Sequence, residues 1–331
     1  MTVVVTTGAR LHFGLLCGGA DSGWHYGGIG MMVDQPAWKI QVSKTPVTGK
    51  DVVHADDTTR CRVETVLSRF RQAVFDLSAV ECMVCSATPF HSGLGAGTQF
   101  TLALGTALLL LSGRSRPDDI SKFAAVLDRS RRSAVGTYGF DHGGFVIDHG
   151  VPQDATASRA LGRIRFPDTW RMVLLTPHRA AGLSGEMEET FFGRQDFLAD
   201  DVVSRIGSVI ESDIAESLHG ADFHRFRDVL EEYGRLAGEY YAAAQGGVFS
   251  DRQMENLVHE LKLQGVTGAV QSSWGPTVCI PAESDPAAER IQAAVRKCDH
   301  AATIRTDIVR GLNTGATVRT TAPEQGHRSF G

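Results

Sequence analysis

Long apolar runs are missing from this 331-residue chain: the longest, residues 100–111, falls well short of the about 20 residues that cross a bilayer. No membrane span is expected. No basic stretch leading into an apolar one opens the chain, so a secretory leader is not expected either. Cysteine is scarce. Six residues do not make a disulfide framework, and a reduced thiol pool in the cytoplasm is the natural reading. Basic charge is not in excess: 33 Lys and Arg against 38 Asp and Glu give a net charge of −5, with no basic block. The electrostatic footprint of a nucleic-acid binder is therefore absent. Charged residues at 21% and apolar residues at 42% are those of a globular chain and exclude disorder.

Glycine, by contrast, is abundant, at 36 residues. It gathers in three groups: Gly14, Gly18, Gly19, Gly23, Gly27, Gly28 and Gly30; Gly93, Gly95 and Gly97; and Gly136, Gly139, Gly143, Gly144 and Gly150. Glycine lets backbone turn with positive φ or approach a ligand closely, so these groups suggest loops lining one site.

Hydrophobic periodicity predicts strands at 3–6, 10–16, 38–42, 80–87 and 145–148, and helices at 59–77, 98–111 and 117–131. In the second half, strands are expected at 171–176, within 268–280 and at 302–309. Helices are expected over 200–244 with a break near Gly220, from a Ser250–Gln253 capping box to Leu263, and at 286–297. A polar loop is expected at 182–189 and a mobile tail at 321–331. Strands and helices interleave without strict βαβ alternation, which points to an α+β fold. The polar stretch 153–158 suggests a boundary between units 1–165 and 166–320.

The sharpest chemical signal is a strand, then His91, Ser92, Gly93, Leu94, Gly95, Ala96 and Gly97, then a helix. Such a loop aims backbone N–H groups at the positive end of a helix dipole, which suits phosphate or diphosphate, with Thr98 and Gln99 adding polar contacts. No Gly-Lys-Ser/Thr closes it, so it is not a Walker loop. Cys82 and Cys85 form a C-x-x-C pair, but i and i+3 on a strand face opposite ways, and a core role is expected. Asp148 and His149 read as strand-end turn residues. Asp141 and His142, beside Gly143 and Gly144, are candidates for metal contact or proton transfer. His12, His25 and His91 lie in glycine-rich segments, whereas His219, His224 and His259 read as surface residues of helices. Gln271, Ser272, Ser273, Trp274, Gly275, Pro276 and Thr277 group an amide, hydroxyls and an indole before a strand, which suits a ligand loop with Trp274 as a stacking face.

The run from Pro89 through Thr98 resembles the phosphate-binding motif of the GHMP superfamily of small-molecule kinases. Four strings narrow this to the β-ribofuranosylaminobenzene 5′-phosphate synthase branch: Ala9–Leu15, Tyr26–Gly30, His91–Gln99 and Gln271–Thr277. The segment 140–148 is similar too. The resemblance implies an S5-domain-2-like N-terminal unit and a ferredoxin-like C-terminal unit. It also implies transfer of ribosyl 5-phosphate from phosphoribosyl diphosphate to 4-aminobenzoate or 4-hydroxybenzoate, releasing CO2 and diphosphate, in tetrahydromethanopterin biosynthesis. Mg²⁺ and no organic cofactor are expected, in a homodimer with small-molecule substrates.

Residues 91–99 would then hold diphosphate. Arg10 and His12 would hold carboxylate or phosphate and, with Asp141 and His142, make up the catalytic candidates. Tyr26, Gly27, Gly28, Gln271, Ser272, Ser273 and Trp274 would line the substrate pocket. A departure from the kinases is that their catalytic Asp, just upstream of the Gly-Gly pair, is replaced by Val135, Gly136 and Thr137, and the loop's second serine by Gly97. An ATP-dependent kinase of the same fold is the alternative, and a ligand-binding member without catalysis the third reading.

Overall fold

The computed structural model describes residues 1–16, 24–25, 27–45, 49–73, 77–129, 133–152, 160–178 and 209–321. The first sheet is built on two long antiparallel strands, β1 (Thr2–Leu16) and β3 (Gly27–Lys44), paired from Thr2 opposite Ser43 to Leu16 opposite Gly27 with a first register shift between Thr7 and Ala9. Their β-branched residues, Val3, Val5, Ile40 and Val42, suit a pleated surface and are fully buried. The register slips between His12 and Gly14, so Phe13 is unpaired, and such a bulge re-aims the neighbouring side chains. Strand β5 (Val80–Ser86) flanks β3 and is joined in parallel by β4 (Val52–His54). Past its bend β3 pairs with β6 (Phe145–Asp148), and β6 pairs with β8 (Ala160–Ile164). The short strands β2 (Trp24–His25) and β7 (Val151–Pro152) pair with each other.

Helices α1 (Asp57–Ala73), α2 (Ala96–Leu111) and α3 (Ile120–Val126) cover one face of this sheet. Helix α2 is apolar on nearly all sides, as a helix buried all round must be. Helix α3 is shorter than the expected 117–131: Asp119 caps it by accepting from the amides of Ser121 and Lys122, and it ends at Leu127. Helix α4 (Val135–His142) was not legible, because its glycines at 136 and 139 read as loop. Those glycines let the helix pack closely; a Cβ on Gly139 would meet Met32 at 2.7 Å.

The second sheet has the order β10 (Val270–Gln271), β11 (Val278–Ala282), β9 (Arg171–Pro177), β12 (Ile304–Arg310), all antiparallel. With helices before β10 and between β11 and β12, this is the ferredoxin-like arrangement. A π-helical turn (Val209–Ile214) runs into α5 (Ala215–His219), followed after the expected break near Gly220 by α6 (Phe223–Gln245). Helix α7 (Arg252–Leu263) is capped by Asp251, which accepts from Gln253 and Met254, and not by the Ser250 box read from the sequence. Helix α8 (Asp285–Val295) is capped by Ser284.

One core lies between the first sheet and α1–α3, and another between the second sheet and α7 and α8. A third joins the two units, packing Leu11, Phe13 and Ile29 with Phe226, Leu230, Met172 and Val270. The final strand, β13 (Thr317–Thr321), leaves the second unit and pairs with β1, so the chain from 166 to 320 does not all belong to the second sheet. The expected boundary at 153–158, the loop at 182–189, the start of the helical span at 200–208 and the tail from 322 fall outside the described residues. Among those described, no helix is long and apolar enough to cross a membrane.

Candidate active site

The start of α2 is set by three local features. Gly93 and Gly95 have φ of +81° and +66°, and neither place admits a side chain. A Cβ on Gly93 would lie 2.4 Å from the Ser272 carbonyl oxygen, and one on Gly95 2.8 Å from Arg10 Nε. Trp38, fully buried against Phe90 and Phe100, donates its indole N–H to the Ala96 carbonyl at 3.1 Å and so pins the first turn to β3. No side chain caps α2, and Gln99 makes the first helical bond back to Gly95. The N–H groups of the first turn therefore present the positive end of the helix to a half-buried loop.

Ser272 ties this loop to two others. It is fully buried; its Oγ accepts from the His12 amide at 3.1 Å and donates to the Gly93 carbonyl at 2.7 Å. The Ser273 amide donates to the His12 carbonyl and the Arg10 amide to that of Leu94. Strings far apart in the chain, around residues 10–12, 93–95 and 272–273, thus meet through hydrogen bonds. Gly28 joins them on β3: a Cβ there would come 3.1 Å from His12 Cε1. Gly27, also on β3, pairs with Leu16 of β1. Tyr26 lies outside the described residues.

His12 is 3% exposed. Its Nδ1 accepts from the Gly14 amide at 3.4 Å, which assigns the ring proton to Nε2, 3.0 Å from Ser133 Oγ. Burial, and then the positive charge of Arg10, hold its pKa well below the ordinary value of 6.5. Protonation is thus disfavoured in the folded chain, so stability that is present above pH 6.5 falls as pH drops below it, at a limiting slope of about 1.4 kcal/mol per pH unit. His12→Asn should flatten the melting-temperature profile between pH 7 and 5; a parallel profile would deny His12 this role.

Several candidates have structural partners of their own. Gln99 is fully buried, accepting from Thr7 and donating to the Gly136 carbonyl, so it joins α2 to α4. Gln271 accepts from the Ser250 amide and donates to Gln245 and the Ser273 carbonyl. Trp274 is 6% exposed and packs on Tyr241 at 4.5 Å, so its ring is a core surface rather than the open stacking face expected. Ser92 is buried and donates to the Pro89 carbonyl. His91, exposed with φ +57°, accepts from Arg62. Leu94 is in the core, and Thr98 faces Gly136.

Asp141 and His142 are not brought to this site. They end α4, whose other end meets Gln99; Asp141 pairs with Arg116 at 2.7 Å and His142 packs on Tyr138. Asp148, 2% exposed, accepts from the amides of Ala134 and Gly150, as a turn residue does. Cys82 is buried and its thiol is pushed up to about 12, chiefly by burial, while Cys85 is exposed. Ser133, which meets His12 Nε2, carries no signal in the sequence, because the helix it precedes is itself not legible there. Arg62, Arg69 and Arg129 carry no motif in the sequence either, and only the tertiary structure brings them near α2. Among the described residues no group of three or more His, Cys, Asp or Glu side chains could hold a metal ion.

No family model matches the chain. It is similar over 86% of its length to the beta-ribofuranosylphenol 5′-phosphate synthase of Methanothermobacter thermautotrophicus, at 24% identity and 90% coverage of that protein. The protein of the same name from Archaeoglobus fulgidus is 27% identical, over 70% of this chain and 74% of its own. Solved structures with the same fold include a homoserine kinase from Cytophaga hutchinsonii, with a TM-score of 0.64, 16% identity and coverage of 96% and 97%. A mevalonate-3-kinase from Thermoplasma acidophilum gives a TM-score of 0.62 at 16% identity, covering 96% of this chain and 98% of that one. The chain thus has the GHMP-kinase fold, and its sequence relatives over most of its length are named as synthases.

Proposed function

We propose that the chain is a synthase of the β-ribofuranosylbenzene 5′-phosphate type, joining phosphoribosyl diphosphate to 4-hydroxybenzoate or 4-aminobenzoate. The relatives' name, which specifies a phenol, favours 4-hydroxybenzoate. The observation that carries this reading is the uncapped start of α2 beside a glycine loop that Ser272 ties to β1 and the 271–277 loop; the resemblance adds that the stretch Val135, Gly136 and Thr137 lacks the carboxylate a kinase would need nearby.

In the reaction the bond from the sugar anomeric carbon to diphosphate oxygen breaks, and diphosphate leaves with the electron pair. The ring carbon bearing the carboxylate attacks the cationic sugar, pushed by the para oxygen or nitrogen. The bond to the carboxyl carbon then breaks, its pair restores the ring, and CO2 departs. Carbon dioxide takes the place of a proton as leaving group, so no base at the ring carbon is required. That agrees with a His12 held neutral and buried. The α2 amides stabilise charge growing on diphosphate, where donors aimed in advance act most strongly. Arg10, against Gly95, adds a cation to the same side. Mg²⁺ arriving with the diphosphate would add charge neutralisation there. Tetrahydromethanopterin biosynthesis is the pathway proposed for the product.

The test is a carbon dioxide trap. Protein is incubated with phosphoribosyl diphosphate, Mg²⁺ and either arene labelled in its carboxyl carbon, beside a vessel of ATP with candidate alcohols and sugars. Labelled CO2 that requires the phosphoribosyl donor is expected, most from 4-hydroxybenzoate. ATP consumption without CO2 would replace this reading with a kinase.

A further inference from the structure

Three arginines that the mechanism has not used stand around the start of α2. Arg62 and Arg69 lie two turns apart on α1, half-buried beside the buried Val63, Val66 and Phe70. Arg62 stacks its guanidinium 4.1 Å over the Phe90 ring and donates to His91 at 3.1 Å, and both partners belong to the segment leading into the glycine loop. Arg129, just beyond α3, donates from Nε to Thr101 on α2 at 3.3 Å. Its Nη2 lies 3.9 Å from where a Cβ on Gly97 would be, beside the first turn of α2. Burial and the positive field of Arg69, then of Arg62, push the Arg129 pKa down against the pull of Asp128, so these charges feel one another.

Among the described residues the compensation is incomplete. Arg69 pairs with Asp128 at 3.0 Å and donates to the Leu127 carbonyl. Among the described residues neither Arg62 nor Arg129 pairs with a carboxylate; their partners are an imidazole, an aromatic face and a hydroxyl. Three guanidiniums facing one carboxylate beside a helix N-terminus repel one another and favour a multivalent anion. Planar guanidinium forks match phosphoryl oxygens in pairs.

We infer that Arg62 and Arg129 wall the anion site at the start of α2 and grip the outer phosphate of a diphosphate ester whose inner phosphate docks on the α2 amides, while the Arg69–Asp128 pair positions Arg129. The inference rests on the preceding reading of the substrate as such an ester. It supplies what that reading lacked, a set of cations that distinguishes diphosphate from a single phosphate.

The test is calorimetry with inorganic diphosphate and inorganic phosphate on the wild type, Arg62→Gln, Arg129→Gln and Arg290→Gln, the last an exposed charge on α8. Each of the first two substitutions should weaken diphosphate at least tenfold and narrow its advantage over phosphate; Arg290→Gln should match the wild type. Without ligand, Arg129→Gln should melt at or near the wild-type temperature, because losing one of three like charges offsets losing the Thr101 contact. Diphosphate affinity within twofold of wild type in both variants would overturn the inference, and Arg62, on the helix surface, decides the matter should Arg129→Gln not fold. The CO2 trap separates this from the proposed reaction. Diphosphate binding lost in the variants with no CO2 from the wild type would leave the anion wall standing and remove the reaction. CO2 release with an unchanged KM for the donor in the variants would do the opposite.

Discussion

Gly95→Val is expected to lose diphosphate binding by at least a hundredfold in calorimetry while the protein still folds. Gly95 has φ +66°, where a β-branched residue is strained by about 1–3 kcal/mol. Its new Cβ would meet Arg10 at both Nε, 2.8 Å away, and Cβ, 2.9 Å away. Relief comes by moving either Arg10 or the turn that aims the α2 amides, and each movement removes part of the anion site. Circular dichroism would confirm the fold and calorimetry would read the affinity. Affinity kept at the wild-type level would mean that the start of α2 is not where diphosphate binds.

Ser272→Ala should be the most destabilising single-atom deletion at the site. It removes one hydroxyl and leaves the buried His12 amide and the part-buried Gly93 carbonyl without that partner. At about 1–3 kcal/mol for the buried amide and less for the part-buried carbonyl, a loss of about 2–4 kcal/mol is expected, read as a lower denaturant midpoint at unchanged slope. Turnover should fall as well, because this hydroxyl holds the glycine loop against β1. A midpoint within the error of the wild type would show that the three strings are held together by other means.

Much of the architecture was legible because it depends on local pattern. The β-branched alternation of β1, the helical spacing of Val63, Val66, Leu67 and Phe70, and the strand–glycine–helix run at 80–111 each declare themselves within a few residues. Gly93 and Gly95 were singled out for the same reason: a turn needing positive φ is a local demand. Where local signals misled, a tertiary contact had prevailed. Helix α4 tolerates Gly136 and Gly139 because Thr98 and Met32 press against them. Strand β13 lies far in sequence from its partner β1, so nothing near residue 317 announces the pairing. Trp274 and Gln271 were polar or aromatic letters in a loop, and only packing showed that Tyr241, Gln245 and Ser250 engage them.

By itself, then, the sequence determined the α+β class, the glycine loop before α2 and the strings proposed to compose the site, since these follow from hydrophobic period and backbone conformation. Only the tertiary structure decided which of those strings meet. It joined residues 10–12, 93–95 and 272–273 through Ser272 and two backbone hydrogen bonds, left Asp141 and His142 at the far end of α4, and set Arg62 and Arg129 beside the α2 start. Contacts between residues 84 to 261 positions apart arise from packing of whole elements, which no short window of sequence encodes.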